Sequence, residues 1–351
     1  MTETSTALVV TTINPPTEAM RSLAAGANQH GIHFVVVGDK KSPPEYDLDG
    51  ADYLDLEAQL ATGFEFAADC PTGHYGRKNI GYLHAMASGS EVILETDDDN
   101  FPRPAFFDPR RRQVTAPSPS EPGWVNAYRY FSPDGDDTVI WPRGFPLDLA
   151  QTSNPPLAPQ SDHDCPIQQG LADDDPDVDA VYRMTGRLPH KFAPDTAVVF
   201  GDGVWCPFNS QSTTWFREAF RVMYLPLHCS IRMTDIWRGF VAQRISWANG
   251  WSVLFKSPDV YQVRNDHDLM VDFVDEIPGY LNNKEIAARM AALPIESGQD
   301  AMADGLRQCW GLLVEMGLVG AEELPLLEAW LRDTARVLAV GLSSPQPWPN
   351  L

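Results

Sequence analysis

Three consecutive carboxylates, Asp97, Asp98 and Asp99, follow the apolar stretch Val92–Leu94. A short apolar stretch indicates a buried strand, and open α/β sheets bind ligands beyond the carboxyl ends of their strands. The alternate carboxylates of Asp97 and Asp99 can reach one divalent ion, and Mg²⁺ or Mn²⁺ prefers such oxygen ligands. We therefore predict a metal site that also holds a diphosphate, with Asp98 beside it. A solvated acidic turn is the alternative interpretation.

A third metal ligand is predicted late in the chain. His267 lies in the polar run Arg264–Asp268, directly after the strand-like stretch Val260–Val263. A neutral imidazole suits Mn²⁺ better than Mg²⁺, so His267 is a candidate ligand of a manganese ion. The alternative is a histidine that serves only the packing of the fold.

A basic segment precedes the acidic strand. Arg77, Lys78 and Asn79 open a predicted helix within Gly76–Gly81. The free N–H groups and the dipole at a helix N-terminus favour anions, so cations placed there predict a phosphate site. A basic pair on the protein surface is the alternative.

Further positions carry groups that suit sugar chemistry. Arg143 stands between prolines and aromatic residues, where it can clamp a phosphate or carboxylate, or else satisfy loop carbonyls. Asp235 lies near a predicted helix start, with Arg238 one turn later, and can accept or position the proton of a sugar hydroxyl. Its alternative role is an N-cap, worth about 1 kcal/mol of helix stability. Asn209 and Gln211 offer amides that can bind sugar hydroxyls.

The elements that must position these groups alternate between strand and helix patterns over the first hundred residues. The pattern predicts a strand at Ala7–Thr12, a helix at Glu18–His30, a strand at Ile32–Val37, a helix near Arg77–Ser88 and a strand at Glu91–Leu94. This rhythm predicts a parallel sheet with right-handed crossovers. The strand ends bring Thr12, Asn14, Asp39 and Lys40 to the same edge as the acidic triplet.

The rest of the chain divides into loops, a mixed region and a helical tail. Two proline-rich stretches, 102–122 and 150–177, predict surface loops. The first is a candidate lid, and the second ends in the acidic triplet Asp173–Asp175, which we predict to be solvated. Residues 283–342 show apolar stripes at helical spacing. We predict an α/β domain over residues 1–282, with a mostly parallel sheet and helices on both faces. A helical subdomain follows at 283–351 and is a candidate homo-oligomer interface.

Composition excludes several functional classes. The 351 residues carry 48 acidic and 26 basic side chains, a formal charge of −22, which disfavours nucleic-acid and anionic-membrane partners. Five cysteines without a CxxC pair argue against a disulfide framework or a structural zinc site. Without a signal peptide or an apolar run of ~18 residues, we expect a cytoplasmic protein that does not enter a membrane. No hydrolase, zincin, P-loop or dinucleotide motif is present.

Seven segments together resemble a known family. In chain order they read ALVVTTINPPTEAM, GRKNIGYLHAMASG, ILETDDDN, VNAYRYF, WPRGFPLDL, PFNSQSTTW and MTDIWRGFVAQRI. They resemble the STELLO family of glycosyltransferase-like proteins and, more distantly, the reversibly glycosylated polypeptides of plants, which are UDP-arabinopyranose mutases. The resemblance covers residues 7–270 and implies a GT-A fold that binds a nucleotide sugar beside an acidic metal motif. STELLO proteins also carry a membrane anchor and a second region, and neither is found in this sequence.

The resemblance implies roles for single residues. Asp97 and Asp99 would hold Mn²⁺ or Mg²⁺ and the diphosphate, with His267 as a late metal ligand. Arg143 matches the arginine reported to become glycosylated in the plant mutases, and Asp235 matches their Asp-x-Trp segment. Asp39 would lie near the base or ribose, and Arg77 and Lys78 near the phosphates. Together with the groups above, the predicted nucleotide-sugar ligands are Thr12, Asn14, Asp39, Lys40, Arg77, Lys78, Asn79, Asp98, Asn209 and Gln211.

Two enzyme activities and one binding function follow. The favoured prediction is a metal-dependent mutase without flavin, which interconverts pyranose and furanose forms of a UDP- or GDP-sugar, with Arg143, Asp235 and Arg238 as catalytic residues. The alternative is a GT-A glycosyltransferase that passes the sugar to an external acceptor, with Asp235 as general base. A third hypothesis is a subunit that binds a nucleotide sugar without turnover.

Overall fold

The structure of the protein is a computed structural model, and it describes residues 5–133, 135, 138–265 and 267–340. Its strands are β1 (Thr6–Thr11), β2 (His33–Val37), β3 (Ala51–Leu54), β4 (Val92–Thr96), β5 (Asn100–Pro102), β6 (Gln113–Ala116), β7 (Gly123–Trp124), β8 (Ser161–Asp164), β9 (Ile167–Asp173), β10 (Ala197–Phe200), β11 (Val204–Trp205), β12 (Ser212–Phe216) and β13 (Val253–Gln262). Its α-helices are α1 (Glu18–His30), α2 (Leu56–Ala61), α3 (Glu65–Asp69), α4 (Lys78–Ala87), α5 (Ala180–Thr185), α6 (Thr234–Ala248), α7 (Leu269–Ala291), α8 (Gln299–Glu315) and α9 (Glu323–Val340).

One central sheet carries the fold, in the order β10-β13-β9-β12-β4-β1-β2-β3, with β5 paired to β13 beside this path. The pairs from β4 to β3 are all parallel, which confirms the parallel sheet predicted from the strand–helix rhythm. β12 lies antiparallel between β4 and β9, whereas β9 and β13 are parallel to each other. The predicted α/β fold is confirmed, and it is consistent with a GT-A-like domain.

Helices cover both faces of the parallel strands. In β1, Val9 belongs to the core on the α4 side, and Leu8 belongs to the core on the α1 side. Successive side chains of a strand point to opposite faces, so strands buried on both faces are continuously apolar. α1 begins and ends as predicted, because Thr17 caps its first turn and Gly31 takes a left-handed conformation after His30.

A glycine lets α4 approach the sheet closely. A Cβ atom at Gly81 would lie 2.6 Å from Val37 and 2.7 Å from Val9, closer than carbon atoms can pack. The close approach of α4 brings its first residue, Lys78, beneath the end of β4. Gly81 therefore helps to place Lys78 next to the acidic triplet that follows β4.

The prediction of a solvated loop at residues 150–177 was wrong for its second half. β9 is a buried strand between β12 and β13, and Asp173 at its end accepts a hydrogen bond from Phe192 N at 3.0 Å. Two glutamines interrupt the apolar pattern of this strand, but their side-chain amides form hydrogen bonds inside the protein. Gln169, for example, accepts a hydrogen bond from the backbone N–H of Asn209. The proline-rich stretch at 102–122 also contains a strand, β6, which pairs with β8.

The C-terminal helices share a core with the sheet. Leu306 and Trp310 of α8 and Leu327 and Trp330 of α9 are buried, as their helical spacing predicted. α7 continues through the predicted boundary between residues 282 and 283, and residues 341–351 lie outside the described residues. The oligomer interface stays a prediction. Within the described part of the chain, no helix is long and apolar enough to cross a bilayer.

A buried carboxylate attaches α9 to the rest of the protein. Glu323 accepts hydrogen bonds from the backbone N–H groups of Leu227, at 2.9 Å, and His228, at 2.7 Å. Its other oxygen accepts from the hydroxyl of Tyr224. Burial raises the pKa of Glu323, and these donors act against that rise by stabilising the ionised form.

We predict that Glu323→Ala lowers the free energy of unfolding by about 2–4 kcal/mol, because two N–H groups and the hydroxyl of Tyr224 lose a buried acceptor. Urea unfolding followed by circular dichroism measures this change. Glu322→Ala removes the exposed neighbouring carboxylate and should change the same quantity by less than about 0.5 kcal/mol. Equal losses in the two variants would contradict the anchoring role of Glu323.

Candidate functional site

Two adjoining cavities open near the carboxyl ends of the parallel strands. The first, which we call the acidic cavity, has a volume of about 440 Å³. The second, the strand-end cavity, has a volume of about 580 Å³. Tyr75, Asp98 and His267 line both, so the two spaces form one cleft. Volumes of this size are typical of sites for small molecules and cofactors.

Most of the predicted site residues meet in this cleft. Those that line the acidic cavity are Asp97, Asp98, Asp99, Arg143, Gln211, Asp235 and His267. Those that line the strand-end cavity are Thr12, Asn14, Asp39, Lys40, Asp98 and His267. The predicted residues that line neither cavity are Arg77, Lys78, Asn79, Asn209 and Arg238. The sheet therefore assembles groups that are up to 255 positions apart, from Thr12 to His267.

Asp98 joins the ends of β1 and β4. Its carboxylate accepts hydrogen bonds from Thr12 Oγ1 at 2.5 Å and from Asn14 Nδ2 at 3.0 Å. Asp39 has a similar part at the end of β2, where its Oδ2 accepts from the N–H groups of Gly73 and His74. These side chains therefore hold the loops around the strand-end cavity in shape.

Asp97 and Asp99 bring two carboxylates to the wall of the acidic cavity. Lys78 Nζ lies 3.2 Å from Asp97 Oδ1 and donates to the carbonyl of Thr96, while Gln262 Nε2 donates to Asp99 at 3.0 Å. Desolvation, reinforced by the charges of Asp99 and Asp235, raises the pKa of the Asp97 carboxyl above its usual range. Desolvation likewise raises the pKa of Asp99. Crowded carboxylates of this kind favour a bound cation.

The predicted metal ligands surround the cavity without converging on one point. His267 Nδ1 lies 3.4 Å from Asp272 Oδ1, and the imidazole is 40% exposed. Across the residues that the structure describes, the only three His, Cys, Asp or Glu side chains with donor atoms within 4.8 Å of one another are His33, Asp52 and His84, which line neither cavity. Two carboxylates and an imidazole nevertheless form a donor set that suits Mn²⁺.

Arg143 is held by two carboxylates. It donates two hydrogen bonds to Asp177, both at 2.8 Å, two to Asp235, both at 3.0 Å, and one to the carbonyl of Arg232. These contacts use all five N–H donors of a guanidinium group. Gly144 makes the preceding turn possible, since its φ is +85° and a Cβ atom there would collide with Ile236. Arg143 is therefore fixed in the wall of the cavity.

Asp235 lies in the first turn of α6, as predicted, but the N-cap alternative is wrong. The cap residue is Met233, and Asp235 instead accepts from Ser210 N at 3.2 Å and from Arg143. Burial acts to raise the pKa of Asp235, but the charges and hydrogen bonds of Arg143, helped by Arg238, hold it below the usual range. A carboxylate in this state is a weak base.

The basic segment at the start of α4 lies behind the cavity. Arg77 is buried and donates to Gln59 Oε1 at 2.8 Å and to the carbonyl of Cys70. Asn79 exchanges two hydrogen bonds with the backbone of Leu225. With the amino group of Lys78 directed at Thr96 and Asp97, the geometry assigns this segment to support of the site. These three residues line neither cavity, and their contacts with phosphate stay a prediction.

Arg238 and Asn209 also support the site, without lining either cavity. Arg238 is fully buried and forms an ion pair with Glu95 at 2.8 Å. Its guanidinium lies 4.9 Å from the centre of the Trp215 ring and donates to the carbonyl of Asn209. The amide of Asn209 donates to Asp177 at 2.7 Å, which fixes one partner of Arg143. Both residues therefore act on the site through others.

Several cavity residues were not predicted from the sequence. Asp177 binds Arg143 but stands in a segment interpreted as a solvated loop, and no local pattern distinguishes it. Arg232 and Arg264 adjoin predicted motifs, and each is paired with a carboxylate, Glu276 or Asp272. Their positions next to those motifs could have identified both arginines as candidate site residues.

A buried carboxyl group beside this network allows a test by pH. Asp179 caps α5 through Tyr182 N at 2.7 Å and accepts from Trp141 Nε1 at 2.7 Å. Burial, reinforced by the charges of Glu276 and Asp177, raises its pKa to about 7. The folded state therefore retains a proton that the unfolded state releases near pH ~4.

We predict that the wild-type protein loses stability as the pH rises from about 4 to about 7, because a raised folded-state pKa contributes stability only at low pH. Asp179→Asn keeps an acceptor oxygen and should make the unfolding free energy depend less on pH in this range. Urea unfolding at pH 5 and pH 8 compares the two proteins. The same loss in both would show that Asp179 is not the titrating group.

Comparisons with known proteins agree with the motifs in the sequence. A family model described as STELLO glycosyltransferases matches residues 232–344. Two Arabidopsis thaliana proteins, "Probable glycosyltransferase STELLO1" and "Probable glycosyltransferase STELLO2", are each 26% identical to this chain over 97% of its length and 45% of theirs. The chain thus spans about half the length of these curated relatives.

Among solved structures, the crystal structure of a mycobacterial protein covers 80% of this chain and 75% of its own. Its identity is 11% and its TM-score is 0.39, too low to support an inference. The relatives and the family match instead confirm the resemblance derived from the motifs: this chain is similar to the STELLO glycosyltransferases.

Proposed function

We propose that this protein is a metal-dependent glycosyltransferase that passes a sugar from a nucleotide sugar to an acceptor. The observation that carries the proposal is the position of two crowded carboxylates, Asp97 and Asp99, in a cleft at the carboxyl ends of parallel strands. The two relatives are named probable glycosyltransferases, and their names agree with this chemistry.

The strand-end cavity suits the nucleotide. Ile13, Tyr75 and Ile231 contribute apolar surface to its lining, against which a base can pack. Lys40 and Lys41 line the same cavity and supply positive charge to a protein whose formal charge is −22. An anionic nucleotide therefore meets local cations in the strand-end cavity.

The acidic cavity suits the diphosphate and a divalent ion. Asp97, Asp99 and His267 would hold Mn²⁺ or Mg²⁺, and oxygen atoms of the diphosphate and water would complete the coordination. The bound ion would supply neutralisation of the charge that develops on the leaving diphosphate. Lys78 keeps Asp97 directed toward the cavity and balances part of its charge.

Arg143 supports the transferase more than the mutase. Its five donors are occupied by Asp177, Asp235 and a carbonyl, so it reaches a sugar or phosphate only by giving up one of these bonds. We assign Arg143 to positioning the acidic cavity and Asp235 to holding Arg143. The comparisons also favour the transferase, the alternative in the sequence analysis, over the mutase favoured there.

We predict that Asp97→Asn and Asp99→Asn each weaken Mn²⁺-dependent binding of UDP or GDP by at least about 100-fold, because an amide is a poorer metal ligand than a carboxylate. Calorimetric titration of the nucleotide, with and without Mn²⁺, measures the effect. Asp69→Asn changes an exposed carboxylate and should bind as the wild type does. Wild-type affinity in the two cavity variants would contradict the metal site.

The reaction itself is tested with a panel of UDP- and GDP-sugars and Mn²⁺, with and without simple saccharide acceptors. We predict release of nucleoside diphosphate that depends on the acceptor, and sugar that appears on the acceptor by mass and NMR. A donor isomer of equal mass with furanose signals, formed without acceptor, would instead establish the mutase. Tight donor binding with no turnover across the panel would favour a binding subunit.

A further inference from the structure

Two histidines and an aspartate converge outside the cleft. His33 Nε2 lies 2.9 Å from Asp52 Oδ2, and His84 Nε2 lies 2.7 Å from the same oxygen. The two imidazole rings have their centres 5.8 Å apart. Three donor atoms from three different elements, β2, β3 and α4, therefore meet within 4.8 Å of one another.

This cluster is separate from the cleft. His33 is the first residue of β2, at the opposite end of that strand from Asp39. His84 lies six residues after Lys78 in α4, about 9 Å further along the helix axis. The cluster stands at the rim of the core between the sheet and α4, because His33 shares a face of β2 with Val35, which packs in that core.

The donor atoms and their spacing suit a transition-metal ion. Two imidazoles and one carboxylate are the protein ligands found at zinc sites that keep a fourth position open for water. Tetrahedral bonds of about 2.0 Å place ligand atoms about 3.3 Å apart. The distance from each imidazole nitrogen to Asp52 Oδ2 would therefore have to increase by only about 0.4–0.6 Å for an ion to bind all three atoms. The side chains of His33, Asp52 and His84 are 35%, 39% and 26% exposed, so an ion has access and the side chains have room to adjust.

We propose that His33, Asp52 and His84 form a second metal site, which binds Zn²⁺ independently of the site at Asp97 and Asp99. Hydrogen bonding alone requires both imidazoles to direct an N–H at one oxygen, whereas an ion satisfies all three donor atoms together. The ion would tie β3 to α4. Since β3 is the last strand of the sheet and pairs only with β2 among the described strands, the site would secure an otherwise weakly held edge.

The first experiment isolates this site from the cleft. Zn²⁺ is titrated calorimetrically, in competition with a chelator, into the full chain carrying Asp97→Asn and Asp99→Asn. We expect one Zn²⁺ per chain, and His33→Gln or His84→Gln added to this background should lower the affinity at least about 100-fold. His30→Gln changes an exposed histidine near the same strand and should leave the affinity unchanged. The proposal would be overturned if the chain bound no zinc, or if the zinc affinity were unchanged in both the His33→Gln and the His84→Gln variant.

A second measurement needs no substitution in the cluster, so a failure of a variant to fold cannot confuse it. Amide hydrogen exchange of Ala51–Leu54 is followed in the wild-type chain with and without Zn²⁺. We expect zinc to slow exchange in this edge strand, because the ion joins it to α4. Unchanged exchange in β3 at zinc concentrations that saturate binding would place the ion elsewhere and overturn the proposal.

Discussion

Glu95 carries a carboxylate into the centre of the sheet, two residues before the acidic triplet, and the site is built around the neutralisation of that charge. Arg238 of α6 pairs with it at 2.8 Å, and both side chains are fully buried. Trp215 of β12 donates to the same carboxylate at 2.8 Å, and the hydroxyl of Tyr82 in α4 donates to it as well. Removing one partner of a buried ion pair typically costs about 3–5 kcal/mol, so these four elements are held together at one point.

The arrangement explains why residues predicted to touch a ligand lie in the core. Arg238 is one turn from Asp235 on α6, and its pairing with Glu95 fixes the rotation of that helix. With the helix so fixed, Asp235 reaches the acidic cavity and meets Arg143. The sequence predicted a catalytic role for Arg238, whereas its buried ion pair with Glu95 favours a positioning role.

Charge compensation runs through the whole cleft. Arg143, Arg232 and Arg264 lie in its wall, and each forms an ion pair with at least one carboxylate of the same wall: Arg143 with Asp177 and Asp235, and the other two arginines with Asp272. Asp97 and Asp99 are the crowded carboxylates of the cavity whose pKa values desolvation raises, with Lys78 near the first. A protein of strongly negative formal charge can hold an anionic ligand in such a cleft when a cation balances these two groups.

Local sequence determined the parts of the fold whose signals are short-range. The bounds of α1, the parallel strands β1, β2 and β4, and the acidic triplet at a strand end all followed from apolar runs, caps and turns, because these depend on neighbouring residues. The burial of β9 did not follow, since Gln168 and Gln169 interrupt its pattern and their amides use partners far away in the sequence, the carbonyl of Arg111 and the N–H of Asn209.

Tertiary structure alone decided which polar groups face the cleft. Arg77 and Lys78 have the same charge as Lys40, yet only Lys40 lines a cavity, because α4 packs so closely that its first turn is buried. The pairing of Arg143 with Asp177 and Asp235 joins residues 34 and 92 positions away. The sequence by itself showed which polar residue types are available for the site. Their partners depended on long-range packing, because that packing fixes the orientation of each helix and strand.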